Sequence, residues 1–159
     1  MEQHTKWVSV WGNAVSVAEN RPERYAKDIT LRYPVITSFS CSAVRLTFDN
    51  YCGTEPITLD KTTVLYDGVF YPVFFGGNPD VTIGAGETTV SDPLPIHVHG
   101  GELLQISFYL KDFTLMRSVV YTNGPLSEGL YANGDQTENP NISIETSRST
   151  HLCYFLCNV

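Results

Sequence analysis

The sequence predicts an all-β protein, a jelly-roll-like sandwich of about eight to nine antiparallel strands, and three observations carry that expectation. Short apolar or alternating runs recur along the chain, clusters of Gly, Pro, Asn and Asp separate them, and no stretch sustains a helical repeat. The nearest approach to a helix, AENRPERYAKD at residues 18–28, is interrupted by Pro22, which removes a backbone donor and clashes with the preceding turn. That segment is expected as polar loop, and so are residues 1–5. A chain of 159 residues suits one domain, residues 1–159, able to bury roughly 70% of its unfolded surface. No disulfide or metal is then required for stability.

Taken in order, WVSVW at 7–11 reads as a strand with Trp7 and Trp11 on one side, because side chains two apart share a face. ITLRYPVITS at 29–38 and AVRLTFD at 43–49 follow, rich in β-branched and aromatic residues. DNYCGTEP at 49–56 then reverses the chain, and Gly53, three residues after Asn50, is expected in a left-handed conformation. TTVLYD at 62–67 and YPVFF at 71–75 are the next strands, ending in the turn FGGNPD with Gly76 and Gly77. DVTI at 80–83, LLQISFYL at 103–110, SVVYT at 118–122 and HLCYFLC at 151–157 complete the set, punctuated by GAGE, SDP, HGGE and TNGP.

The charge balance excludes one class of partner. With ten Lys plus Arg against a net charge of -7, and no basic cluster beyond the mixed Arg21-Pro22-Glu23-Arg24, the chain has no means of neutralising a phosphate backbone, so nucleic acid is not an expected partner. No window approaches the roughly 20 apolar residues that span a bilayer, and MEQHTKWVSVWGNA has neither a cationic start nor an apolar core, so a membrane partner and an export signal are not expected and a cytoplasmic location is. Cys41, Cys52, Cys153 and Cys157 are expected as free buried thiols in that setting. Zinc at Cys153 and Cys157 fails on spacing, since four residues of straight strand separate the sulfurs by about 13 Å. No cofactor is expected.

Three constellations carry candidate chemistry. Serine-hydrolase catalysis needs a nucleophile, a base and an orienting acid, and the chain has only four histidines, His4, His97, His99 and His151. His97-Val98-His99 places two imidazoles on one strand face with Glu102 close behind, the beginning of a cupin-like metal site; an exposed pair flanking the HGGE turn is the preferred reading. Trp7 and Trp11 offer a pair of indoles on which sugar rings could stack, against the commoner use of aromatics as core.

Gly134-Asp135-Gln136-Thr137 has the frame of the Gly-Asp-Ser-x-Thr nucleophile motif with an amide at the serine position. Taken together with WVSVWGNAVS, the Thr-Leu-Arg strand of ITLRYPVITS, AVRLTFDNYCGTEPITL with Arg45, Asn50, Gly53 and Pro56, FFGGNPDVTIGAGE, VSDPLPI and LLQISFYL, it resembles the N-terminal β-sandwich that precedes the catalytic domain in bacterial SGNH/GDSL-type hydrolases. The likeness runs from about Trp7 to the C-terminus. In that family a Gly-Asp-x-Thr segment closes the sandwich, upstream of the catalytic Gly-Asp-Ser. The resemblance therefore implies that Gln136 replaces no nucleophile and that no residue of this chain is catalytic. It further implies an accessory role, with an SGNH catalytic domain of the same longer chain as partner and carbohydrate as a ligand. The stretch bearing His97, His99 and Glu102, and the pair Cys153 and Cys157, depart from the family pattern.

The run THLCYFLCNV is apolar on both faces of a strand, so one face is expected to remain as an apolar patch beside the Trp7 to Trp11 segment. A hydrolase domain or a two-fold homodimer would cover it.

Overall fold

Antiparallel ladders account for every strand pairing among the described residues of the computed structural model, which are 6–16, 24–124, 126–143, 145 and 147–159. The loops expected at 1–5 and 18–23, and His4, lie outside them. Fifteen short strands are present among the described residues: β1 Tyr25–Ala26, β2 Ile29–Ile36, β3 Thr47–Asp49, β4 Ile57–Leu59, β5 Lys61–Tyr66, β6 Val69–Pro72, β7 Val81–Ile83 and β8 Thr88–Val90 in the first part of the chain. Then come β9 Leu103–Leu110, β10 Thr114–Leu115, β11 Val119–Tyr121, β12 Gly129–Asn133, β13 Ser147–Thr150, β14 Leu152–Tyr154 and β15 Leu156–Asn158. The fold is an all-β sandwich, as expected, with the expected long strands divided into shorter ladders.

One layer is a six-stranded sheet in the order β13-β12-β2-β9-β5-β6. Its centre follows from the two most regular runs of the sequence, since β2 and β9 pair over their whole length, from Ile29 opposite Leu110 to Ile36 opposite Leu103. Alternation puts Leu31, Val35, Leu104, Ile106, Phe108 and Leu110 on the inner face, where each is fully buried. The opposite layer contains the sheet β15-β3-β8, and Phe48 of β3 meets Phe108 edge to face at 5.2 Å between ring centroids. Phe75 and Phe155 complete this aromatic centre, at 6.0 Å from Phe48 and 6.5 Å from Phe108 respectively. Pairs β4-β7, β1-β10 and β11-β14 close the flanks.

Several elements differ from expectation for identifiable reasons. WVSVW is not a strand: Val10 and Trp11 both donate to the carbonyl of Val159, whereas consecutive N–H groups of a strand point in opposite directions. YPVFF is displaced, because Asp67 and Gly68, both at positive φ, form a two-residue hairpin turn that starts β6 at Val69. HLCYFLC is interrupted at Phe155, whose φ of 64° turns the chain out of one ladder and into another. The Phe155 N–H donates to Ser118 beside β11, while its carbonyl accepts from Asp49 of β3. The straight-strand spacing assumed for Cys153 and Cys157 therefore does not apply; all four cysteines are free thiols, but only Cys153 is buried and the other three are half-buried. Tyr25 and Ala26, expected in a loop, pair with Leu115 and Thr114.

The terminal run is also covered more fully than its sequence suggests. Cys153, Tyr154, Phe155, Leu156 and Val159 are all buried, so residues of both parities lie inside the chain's own fold. The apolar patch expected on this strand is absent from it. No helix among the described residues is long and apolar enough to cross a membrane.

Candidate functional site

The turn residues singled out in the sequence are halves of polar clamps. Asn50 is wholly buried, and its Nδ2 donates to the carbonyls of Glu55, Ile83 and Gly84 at 3.0, 3.1 and 3.2 Å. Its own carbonyl accepts from Gly53 and Gly86, so one side chain and one peptide tie DNYCGTEP to GAGE. Gly53 serves this clamp by its size and not by its φ, which is outside the left-handed region expected for it. A Cβ there would stand 2.0 Å from Asn50 Oδ1. Gly76 and Gly77 do have positive φ, 57° and 81°, and their N–H groups donate to the two carboxylate oxygens of Asp92. FGG is thereby bound to SDP.

The third clamp joins the Thr-Leu-Arg strand to the Gly-Asp-Gln-Thr loop. Arg32 faces away from the apolar interior, yet it is 3% exposed because residues 134–140 lie over it. Its Nε donates to Ser107 Oγ at 2.6 Å, Nη1 to the Asn139 carbonyl at 2.7 Å and Nη2 to the Gln136 carbonyl at 3.0 Å. Burial lowers its pKa, as desolvation does for any cation. Thr30 and Thr63 add bonds to the carbonyls of Gly134 and Thr137. The Gln136 side chain is occupied in the loop itself, donating to the Asn133 carbonyl and accepting from Asn139 Nδ2.

His97 and His99 are exposed on either side of buried Val98, which bridges Cys41, so the expected parity holds. Glu102 is engaged elsewhere: its Oε2 accepts from the Tyr66 hydroxyl and from the His99 backbone N–H, and the Tyr66 bond lowers its pKa. Among the described residues no group of three His, Cys, Asp or Glu side chains is placed to hold a metal ion.

The two tryptophans are not a pair. Trp11 is half-buried against the core and lines an apolar cleft of about 260 Å³ with Tyr33, Pro34, Ile36 and Leu126. Trp7 lines a different cleft, of about 200 Å³, with Lys6, Phe39, Ser40, Ser42 and Arg45. The Arg45 guanidinium lies over the Trp7 ring, 4.3 Å from its centroid. Trp7 stays 37% exposed and Phe39 44%, so two aromatic surfaces remain open to solvent beside hydroxyl and cationic groups. Sequence reasoning found Trp7 but not its companions. Phe39 and Ser42 stand in the loop that follows β2, and nothing in their spacing announces that the N-terminal segment will lie beside them.

Comparison with known protein families and with curated proteins gives no match.

Proposed function

We propose that this chain is a non-catalytic accessory β-sandwich of the SGNH/GDSL-hydrolase kind, packing on a hydrolase domain and contacting carbohydrate through the cleft at Trp7. The observation that carries this reading is the set of clamps. Thr-Leu-Arg, Gly-Asp-x-Thr, Asn-x-x-Gly, Phe-Gly-Gly and Ser-Asp-Pro are among the motifs on which the resemblance rests; the first is bonded to the second, the fourth to the fifth, and Asn-x-x-Gly to the GAGE turn. Motifs used in this way build a scaffold. Ligand contact is then left to exposed groups, and Trp7, Phe39 and the nearby serines have the aromatic and hydroxyl chemistry that sugar rings accept.

A sandwich that binds carbohydrate without a hydrolase partner is the second reading, favoured by the internal coverage of residues 153–156. Affinity electrophoresis through gels containing soluble polysaccharides tests the shared part of both. Retardation of the wild type and its loss in Trp7→Ala are expected, and uniform free migration overturns the carbohydrate role. The same preparation is expected to hydrolyse p-nitrophenyl acetate no faster than buffer, and an acylated serine found by mass spectrometry contradicts the accessory reading.

A further inference from the structure

We infer that the carbohydrate held at the Trp7 cleft is an acidic one, a polysaccharide bearing carboxylates such as a uronate chain. This rests on the carbohydrate reading and narrows it. The side chains lining the cleft include the cations Lys6 and Arg45 and no aspartate or glutamate, although acids outnumber bases 17 to 10 in the whole chain, and Val159, which also lines it, has its main-chain oxygen engaged by the Val10 and Trp11 N–H groups. No ion pair joins either of these two cations to a carboxylate among the described residues. Local enrichment in cations on an acidic protein is charge complementarity, and it is felt only nearby, since the Debye length is about 8 Å at physiological ionic strength.

The geometry at Arg45 adds direction. A guanidinium held 4.3 Å from an indole centroid keeps N–H donors that can match the two oxygens of a carboxylate. Stacking also restricts the side chain in advance, so less rotamer freedom is lost when a ligand binds. The uncovered surfaces of Trp7 and Phe39 then take the apolar face of the sugar ring whose carboxylate Arg45 holds. A volume of about 200 Å³ is below the roughly 300 Å³ at which pockets for drug-sized molecules begin, and suits one residue of a polymer crossing the cleft.

The test compares polygalacturonate, alginate and hyaluronan with methyl-esterified polygalacturonate, which keeps the backbone and loses the charge. Binding of the acidic polymers is expected to exceed that of the ester by about tenfold or more and to be abolished in about 1 M salt, where the Debye length is near 3 Å. Arg45→Gln should lose about tenfold on the acidic polymers and change little on the ester, and Trp7→Ala should weaken both. Cys41 lines the same cleft, so its alkylation should be slowed by bound polymer, which locates the site independently of any variant. Equal binding of ester and acid overturns the charge selectivity and leaves the carbohydrate reading standing. Binding of neither overturns both, and binding that survives Trp7→Ala and Arg45→Gln places the site elsewhere.

Discussion

At Gly53 the sequence pointed to the right residue for the wrong reason. A glycine after Asn-x-x suggests a left-handed turn, but the position needs room against a buried asparagine, and no local pattern distinguishes the two causes. Gly53→Val should lower stability by about 2–3 kcal/mol through overpacking, seen as a lower midpoint in urea. Gly76→Ala meets no atom within 4 Å and is charged only for its positive φ, about 1 kcal/mol. Equal losses at the two sites would contradict this division. Arg32 was legible as part of a motif and illegible as a buried cation, because its partners Gln136 and Asn139 lie more than a hundred residues away. Arg32→Met should cost about 3 kcal/mol, since it leaves a buried hydroxyl and two carbonyls without their donor. An unchanged thermal midpoint would show that water serves those acceptors equally well.

Among the elements, β2 and β9 were the easiest to read, because long uninterrupted alternation leaves only one register that buries a full face. The β5–β6 hairpin had a signal too, Asp67-Gly68, which outranks the β-propensity of YPVFF in placing the strand. HLCYFLC could not be divided from sequence alone. Phe155 has none of the permissiveness of glycine or asparagine, and its positive φ is imposed by two ladders that claim opposite sides of the same peptide segment. That conformation makes an uncommon prediction. Phe155→Ala and Phe155→Gly both lose a fully buried ring and should both cost about 3–5 kcal/mol. Glycine should nevertheless be the less harmful of the two by about 1 kcal/mol, reversing its usual disadvantage in a strand. Comparison of urea midpoints decides it, and an alanine variant more stable than the glycine variant counts against the left-handed assignment.

For the molecule as a whole, the sandwich architecture was plain from strand spacing, whereas the cleft at Trp7 was not, because it forms where the N-terminal segment, the loop after β2 and the C-terminal residue meet. The same burial that makes the core governs its response to alkali. Burial pushes the Cys153 thiol from its ordinary 9.0 to about 12 and the Cys157 thiol to about 11. Burial likewise raises Tyr33, and a hydrogen bond to Asp28 raises Tyr109 to about 12. Each raised value stabilises the fold fully while the group is protonated in both states, and that contribution is lost as pH climbs through the folded pKa. The thermal midpoint should therefore show no loss from these groups below pH 9 and fall between pH 9 and 12. The double variant Cys153→Ala with Cys157→Ala should have a shallower fall, the tyrosines accounting for what remains. An identical alkaline slope would mean the thiols are not held in their neutral form.

The interruption at Phe155 also bears on how the protein is made. β14 and β15 pair with β11 and β3, so residues 152–158 join the flanking pair β11-β14 to the layer β15-β3-β8 after the strands they hold have already been synthesised. A chain leaving the ribosome N-terminus first can assemble the six-stranded sheet from β2 through β13 while the facing layer still lacks β15. During that interval Phe48 and Phe108 have no finished enclosure, and a nascent chain paused there presents aromatic surface to its surroundings. Translation speed over the codons for residues 152–158, and holdase chaperones that cover such surface, are thus natural determinants of its yield.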